Sequence, residues 1–290
     1  MYTIETEQLK ATINPKGAEL VSLVHKGTGL DYMWPANPQF WAKHSPVLFP
    51  IVGSLKADTY YFKNTAYRLP RHGFARDREF TVSDSTADSI TFSLQSDEET
   101  AKVYPFRFVF SLVYRLKGGE LSVTYRVENK EEEEALLFSV GGHPAFRLPL
   151  AEGTAYEDYR LVFNKQEQAG RWPISKEGLI EKEPQPLLDH TRSLPLSKDL
   201  FRKDALVLKH LHSDCVTLES SKTPRGLQFH FEGFPFLGLW AAPGADFLCI
   251  EPWCGIADSV DSDQQLRNKE GIIALPEGRT FERVWRVRPF

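Results

Sequence analysis

The run Phe106-Arg107-Phe108-Val109-Phe110-Ser111-Leu112-Val113-Tyr114-Arg115-Leu116 decides the fold class. Phe106, Phe108, Phe110, Leu112, Tyr114 and Leu116 recur at every second position. That period puts them on one face of a strand and their neighbours on the other. Lys117-Gly118-Gly119-Glu120 follows, a hairpin signal. Leu121, Val123, Tyr125 and Val127 then alternate with Ser122, Thr124, Arg126 and Glu128. The segment predicts an antiparallel hairpin with one dry and one wet face.

The same alternation recurs at Leu9, Ala11 and Ile13, and at Ile90, Phe92 and Leu94. It returns at Leu227, Phe229 and Phe231, after a turn expected at Pro224-Arg225-Gly226. No helical periodicity persists over ten residues; short helical turns are expected only at Pro38–Trp41 and Asp97–Val103. The fold class is therefore all-β, with two large packed antiparallel sheets. Gly170 to Leu196, with Pro173, Pro184, Pro186 and Pro195, reads as a surface excursion, since strand patterns resume on both sides. One domain over residues 1–290 is expected.

A chain of 290 residues, 41% hydrophobic and 26% charged, suffices for a sizeable core under a solvated surface. A net charge of −4 gives no reason to expect a nucleic acid or an anionic membrane as partner. No apolar run is long enough to span a bilayer, and Met1-Tyr2-Thr3-Ile4-Glu5-Thr6 shows no signal-peptide pattern. The irregular spacing of Cys215, Cys249 and Cys254 argues against a disulfide framework and for a reducing, cytoplasmic setting. Cys249 and Cys254 read as small buried residues.

Four stretches hold the chemistry. In Ser139-Val140-Gly141-Gly142-His143-Pro144, two glycines permit close approach or positive φ, and a proline stiffens the turn. His143 then sits at a strand end, as a catalytic imidazole or a packed one. In Pro70-Arg71-His72-Gly73-Phe74-Ala75-Arg76-Asp77, the arginine forks suit hydroxyls or an anion; a polar turn with an Arg76–Asp77 ion pair is the plainer reading. In Leu248-Cys249-Ile250-Glu251-Pro252-Trp253, Glu251 interrupts an apolar run. A buried carboxylate needs a partner, and an apolar setting raises its pKa toward that of a useful base. Trp253 can stack on the apolar face of a sugar ring; a salt-bridged structural glutamate is the alternative to a catalytic one. Asp204 precedes the apolar run from Ala205, as a turn residue or a hydroxyl acceptor.

Other chemistries fail on residue type or spacing. There is no H-E-x-x-H, C-x-x-C, P-loop, dinucleotide fingerprint or G-x-S-x-G elbow. His210 and His212 lack an apparent third ligand. Two histidines and a carboxylate remain, a set suited to moving protons near neutral pH without a metal.

Taken in order, these stretches resemble the aldose 1-epimerase (galactose mutarotase-like) superfamily nearly end to end. Gly17-Ala18-Glu19-Leu20-Val21-Ser22-Leu23, then Asp31-Tyr32-Met33-Trp34, resembles its N-terminal signature. Phe49-Pro50, the His72 and His143 motifs, Asp204, and Gly238-Leu239-Trp240 to Glu251-Pro252-Trp253 follow in family order. The branch it is most similar to is associated with lactose and galactose gene clusters, with the hexose-6-phosphate epimerases second. The resemblance implies a β-supersandwich, no cofactor, no metal and a monosaccharide or sugar-phosphate substrate; a monomer or homodimer is expected. It implies Glu251 as general base on the anomeric hydroxyl and His143 as general acid on the ring oxygen. His72 would hydrogen-bond near the reacting atoms, and Asp204 would hold remote hydroxyls. Two departures leave the sugar open. Gly53-Ser54-Leu55-Lys56 carries serine and lysine where an arginine is usual, and the His143 motif lacks the longer Asn-His form of galactose mutarotases. Arg76, or Arg71, is the candidate to replace the missing cation.

Three readings follow: exchange of α and β hexose anomers, with hexose 6-phosphates as a variant; a non-catalytic carbohydrate-binding or sensor protein using Trp34, Trp41, Trp240 and Trp253 as platforms; and a glycoside hydrolase or lyase pairing Glu251 with Asp204. Hydrolysis usually needs two carboxylates about 5–9.5 Å apart.

Overall fold

The hairpin forms where the alternation places it. In a computed structural model that describes residues 1–290, strands Phe108–Lys117 and Glu120–Asn129 pair in unbroken antiparallel register, from Phe108–Asn129 to Lys117–Glu120. Gly118 takes φ 56° at the tip, a left-handed angle that suits glycine. Phe108, Phe110, Leu112, Tyr114, Leu116, Leu121, Val123, Tyr125 and Val127 are all buried. Each such side chain stabilises the fold by roughly 1.5–3 kcal/mol.

All ladder pairings are antiparallel, and the main sheet has fifteen strands. A four-stranded sheet near the N-terminus and two two-stranded ribbons complete the β structure. The main sheet folds back on itself. Phe49, beside its Val47–Leu48 end, stacks on Phe110 in the hairpin with ring centroids 4.4 Å apart. Phe146 packs edge-on against Phe229, and Phe229 stacks on Trp285. The two packed layers are thus parts of one continuous ladder, with the aromatic core between them. No helix is long and apolar enough to cross a membrane.

Two of three local expectations need correction. Both helical turns form, but only Glu98–Val103 extends into a helix, capped by Asp97, whose side chain accepts the Thr100 N–H. Residues 38–41 make a turn in which the amides of Phe40 and Trp41 both donate to the Asn37 carbonyl. Pro224-Arg225-Gly226 is not a turn; it lies inside strand Thr223–His230, within the register shift between the Ser220–Thr223 and Leu218–Leu227 pairs, which absorbs the proline. A Cβ on Gly226 would lie 2.5 Å from the Leu218 carbonyl oxygen and the Phe290 ring, so that glycine serves close approach. Finally, much of Gly170 to Leu196 is strand. Tyr159–Trp172 and Gln185–Pro195 form a bulged two-stranded arm. Pro186 and Pro195 fit there because the second strand pairs only on one side, and an edge strand needs fewer amide donors.

Candidate active site

Strand Phe247–Cys254 is buried along its whole length and forms the floor of the site. Val140–Gly142 and Ala145–Arg147 pair with it on one side in a common register. Gly141 faces Trp253 and Ala145 faces Cys249, so His143 falls opposite Glu251. Cross-strand neighbours project to the same face with Cβ atoms about 4.5–5.5 Å apart. Register thus brings together two residues more than a hundred positions apart.

The two glycines before His143 both serve close approach; neither has positive φ. A Cβ on Gly141 would lie 2.7 Å from the Trp253 ring, and one on Gly238, across the strand, 2.5 Å from it. Trp253 therefore lies flat over bare backbone. A Cβ on Gly142 would meet the Tyr125 hydroxyl at 2.5 Å on the opposite, core side. That hydroxyl accepts a hydrogen bond from Trp285 Nε1 at 2.8 Å.

His143 Nε2 and Glu251 Oε2 are 3.2 Å apart, with residue exposures of 9% and 1%. They are close but not aligned as a hydrogen bond: Oε2 has no donor, and His143 Nδ1 has no partner. Burial pushes the Glu251 carboxyl well above the ordinary carboxylate range; Arg71 opposes the rise and Asp204 adds to it. Burial, with Arg71 and Arg76 adding to it, brings the His143 imidazole down to about 3. A proton shared by the pair therefore rests on the carboxyl, because a buried ion pair is costly to form. Trp41 stacks on the His143 ring with centroids 5.0 Å apart, and Trp240 meets it edge-on at 5.7 Å.

The other wall is made of loops. His72 has φ 70° and Asp204 φ 76°, left-handed angles that cost a non-glycine residue about 1–2 kcal/mol each. The Gly53 amide donates to His72 Nδ1 at 3.0 Å, and the His72 amide donates to the Gly53 carbonyl at 2.9 Å. Arg71 Nε also lies 3.3 Å from His72 Nε2. A neutral imidazole cannot accept at both nitrogens. The shorter bond, fixed by backbone, sets the tautomer, so Nε2 carries the hydrogen and the arginine is a close neighbour. Burial, with Arg71, His143 and Arg76, keeps the His72 ring well below its ordinary pKa and hence uncharged. Behind Gly53, Lys269 and Asp258 form a buried 2.9 Å ion pair, and Asp258 Oδ2 accepts the Lys56 amide.

All seven candidate residues line one cavity of about 490 Å³: Glu251, His143, His72, Asp204, Arg76, Arg71 and Trp253. That volume suits a small organic ligand. Arg71 lies 3.6 Å from Asp204 Oδ1. Arg76 donates to the Arg71 carbonyl, while its buried Nε lies 3.7 Å from Asp77 Oδ2 without a hydrogen bond. Trp253 is only 5% exposed and forms floor; Trp41 and Trp240, less buried, supply more open aromatic surface. Lys56 and Lys43 do not line the cavity: they bind the Ser262 carbonyl and Asp77. Arg202, two residues before Asp204, does line it; its place in that short loop was the available signal.

The family model for aldose 1-epimerase matches residues 1–271. Protein LacX of Lactococcus lactis is 35% identical over 280 residues, covering 94% of this chain and 93% of that one. A crystal structure of a galactose mutarotase related enzyme from Lactobacillus acidophilus shares 38% identity at a TM-score of 0.95, covering 100% of this chain and 97% of that one. A galactose mutarotase-like protein from Lactobacillus casei shares 31% identity at 0.94, covering all of both chains. With this coverage and this fold, the chain belongs to the aldose 1-epimerase family.

Proposed function

We propose that the protein interconverts the α and β anomers of a hexose by acid–base ring opening and re-closure. The observation that carries this reading is the 3.2 Å approach of His143 Nε2 to Glu251 Oε2 at the cavity wall. Glu251, as carboxylate, takes the proton from the C1 hydroxyl. His143, as imidazolium, gives a proton to the ring oxygen. The C1–O5 bond breaks, leaving the open-chain aldehyde. Rotation about C1–C2 presents the other carbonyl face, and re-closure returns both protons.

The balance is simple: the pair begins with one proton, on the imidazole, and holds one proton in the open-chain state, on the carboxyl. The second form is the one burial favours. Sugar hydroxyls that donate to Glu251 restore the first form, since hydrogen bonds to a carboxylate favour its charge. His72, with its hydrogen on Nε2, donates toward the ring oxygen or C1 hydroxyl. Asp204 accepts hydroxyls remote from C1, and Arg71 and Arg76 donate to oxygens along the same wall. A cytoplasmic setting fits the three unpaired cysteines.

A specific observation favours a phosphorylated hexose as a second reading. Arg71, Arg76 and Arg202 all line the cavity, and the buried Arg76 Nε, 3.7 Å from Asp77 Oδ2, makes no hydrogen bond. Polarimetry on freshly dissolved glucose, galactose and their 6-phosphates separates the readings. Faster equilibration of the neutral sugars supports the first, and acceleration confined to the phosphates supports the second. Saturable sugar binding without acceleration would make the protein a sensor, and release of aglycone from a chromogenic glycoside would make it a hydrolase.

A further inference from the structure

Cys249 takes no part in the proposed chemistry, yet it lies against the centre of it. It sits two residues before Glu251 on the same strand, and side chains two apart share a face. His143 reaches that face from the neighbouring strand. One donor atom from each of His143, Cys249 and Glu251 lies within 4.8 Å of the others. All three residues are at least nine-tenths buried, at 9%, 0% and 1% exposure. Glu251 Oε2 and His143 Nδ1 are buried without a well-formed hydrogen bond, and only the Trp253 indole approaches the carboxylate as a donor.

We propose that His143, Cys249 and Glu251 form a binding site for a thiophilic divalent cation, of which Zn²⁺ is the prototype. An imidazole, a thiolate and a carboxylate are the ligand types such a cation takes, and three protein ligands leave a fourth position open. His143 and Glu251 line the cavity, so the open position falls to water or a sugar oxygen. Metal–ligand bonds of about 2.0–2.3 Å in tetrahedral array place donor atoms roughly 3.3–3.6 Å apart. The His143–Glu251 separation of 3.2 Å is already there. The thiol lies within 4.8 Å of both and must draw closer to reach the metal. On binding, the thiol and any carboxyl proton leave to solvent.

Arg71 and Arg76 face the same space and repel a dication. Binding therefore requires the charges of both the thiolate and the carboxylate, which makes Cys249 indispensable. The metal occupies the same carboxylate and imidazole that exchange protons with the sugar, so it inhibits. The site rests on geometry alone; the inhibition rests also on the proposed anomer exchange.

The two are tested separately. Metal-free protein titrated with Cd²⁺ is expected to develop a thiolate-to-cadmium charge-transfer band at one equivalent. The band should vanish in Cys249→Ser and Cys249→Ala and persist in Cys215→Ser and Cys254→Ser. Zn²⁺ should displace the Cd²⁺ band, and should slow anomer exchange at least ten-fold more in the wild type than in a Cys249 variant, each against its own metal-free rate. A band that survives loss of Cys249, or none up to millimolar Cd²⁺ in the folded wild type, overturns the site. A Cys249-dependent band in a protein without anomer exchange leaves the site standing and overturns the inhibition.

Discussion

The two walls of the cavity are built differently. His143 and Glu251 stand on adjacent strands, held at 3.2 Å by ladder register and by glycines that admit Trp253. Arg71, His72, Arg202 and Asp204 stand on loops, two of them at left-handed backbone angles. Strands fix a distance to a few tenths of an ångström, which proton transfer needs. Loops carry donors and acceptors that fit the rest of a ligand and change readily. If the strand-held pair does the proposed chemistry, reaction and recognition are separable here: damage to the strand wall should abolish turnover, and damage to the loop wall should weaken binding.

The largest effect expected on the strand wall is from His143→Gln, a loss of about 10²- to 10⁴-fold in kcat. Joined with Glu251→Gln it should cost little more, because the two proton transfers of one ring opening fail together. Additive losses in stopped-flow polarimetry would break the idea of a paired wall. On the loop side, Asp204→Asn keeps a residue that tolerates positive φ and removes the charge. It should raise KM about ten-fold with kcat changed only a few-fold; the reverse pattern would put Asp204 in the reaction. Gly141→Ala drives a Cβ to 2.7 Å from Trp253 and should cost about 1–3 kcal/mol in urea unfolding. An unchanged midpoint would mean that Trp253 is free to move.

The smallest effect is on stability and has a definite sign. Glu251 holds its proton to higher pH folded than unfolded, so above its ordinary value of 4.5 rising pH costs stability. Glu251→Gln should therefore be the more stable protein at pH 8 and lose that advantage at pH 4. His143 acts oppositely. Between about 3 and 6.5 the unfolded chain binds a proton that the folded one refuses, so stability rises with pH there. Unfolding midpoints from pH 4 to 8 sharpen the comparison, since both groups belong to the strand wall.

What was legible in the sequence was local. Alternation from Phe106 to Val127 is written in consecutive residues, and the structure repeats it pair by pair. Glu251 stood out because a carboxylate in an apolar run conflicts with its neighbours. The meeting of His143 and Glu251 was legible only through family resemblance, because register between distant strands leaves no local trace. The Gly170–Leu196 arm was misread because prolines signal loops, and only the finished sheet shows which strand is an edge. Pro224–Gly226 misled for the same reason: its glycine answers Phe290, sixty-four residues on. Lys56 matched the place of an expected cation in sequence, but its amine turns to the Ser262 carbonyl.

The central claim is that the strand-held pair moves the proton. Exchange NMR between the α and β resonances of a hexose, neutral or 6-phosphorylated, measures that step at equilibrium. The account predicts rapid exchange with the wild type and a return to the buffer rate with Glu251→Gln at unchanged circular dichroism. Full exchange in Glu251→Gln, or none in the wild type with any of these sugars, would contradict it.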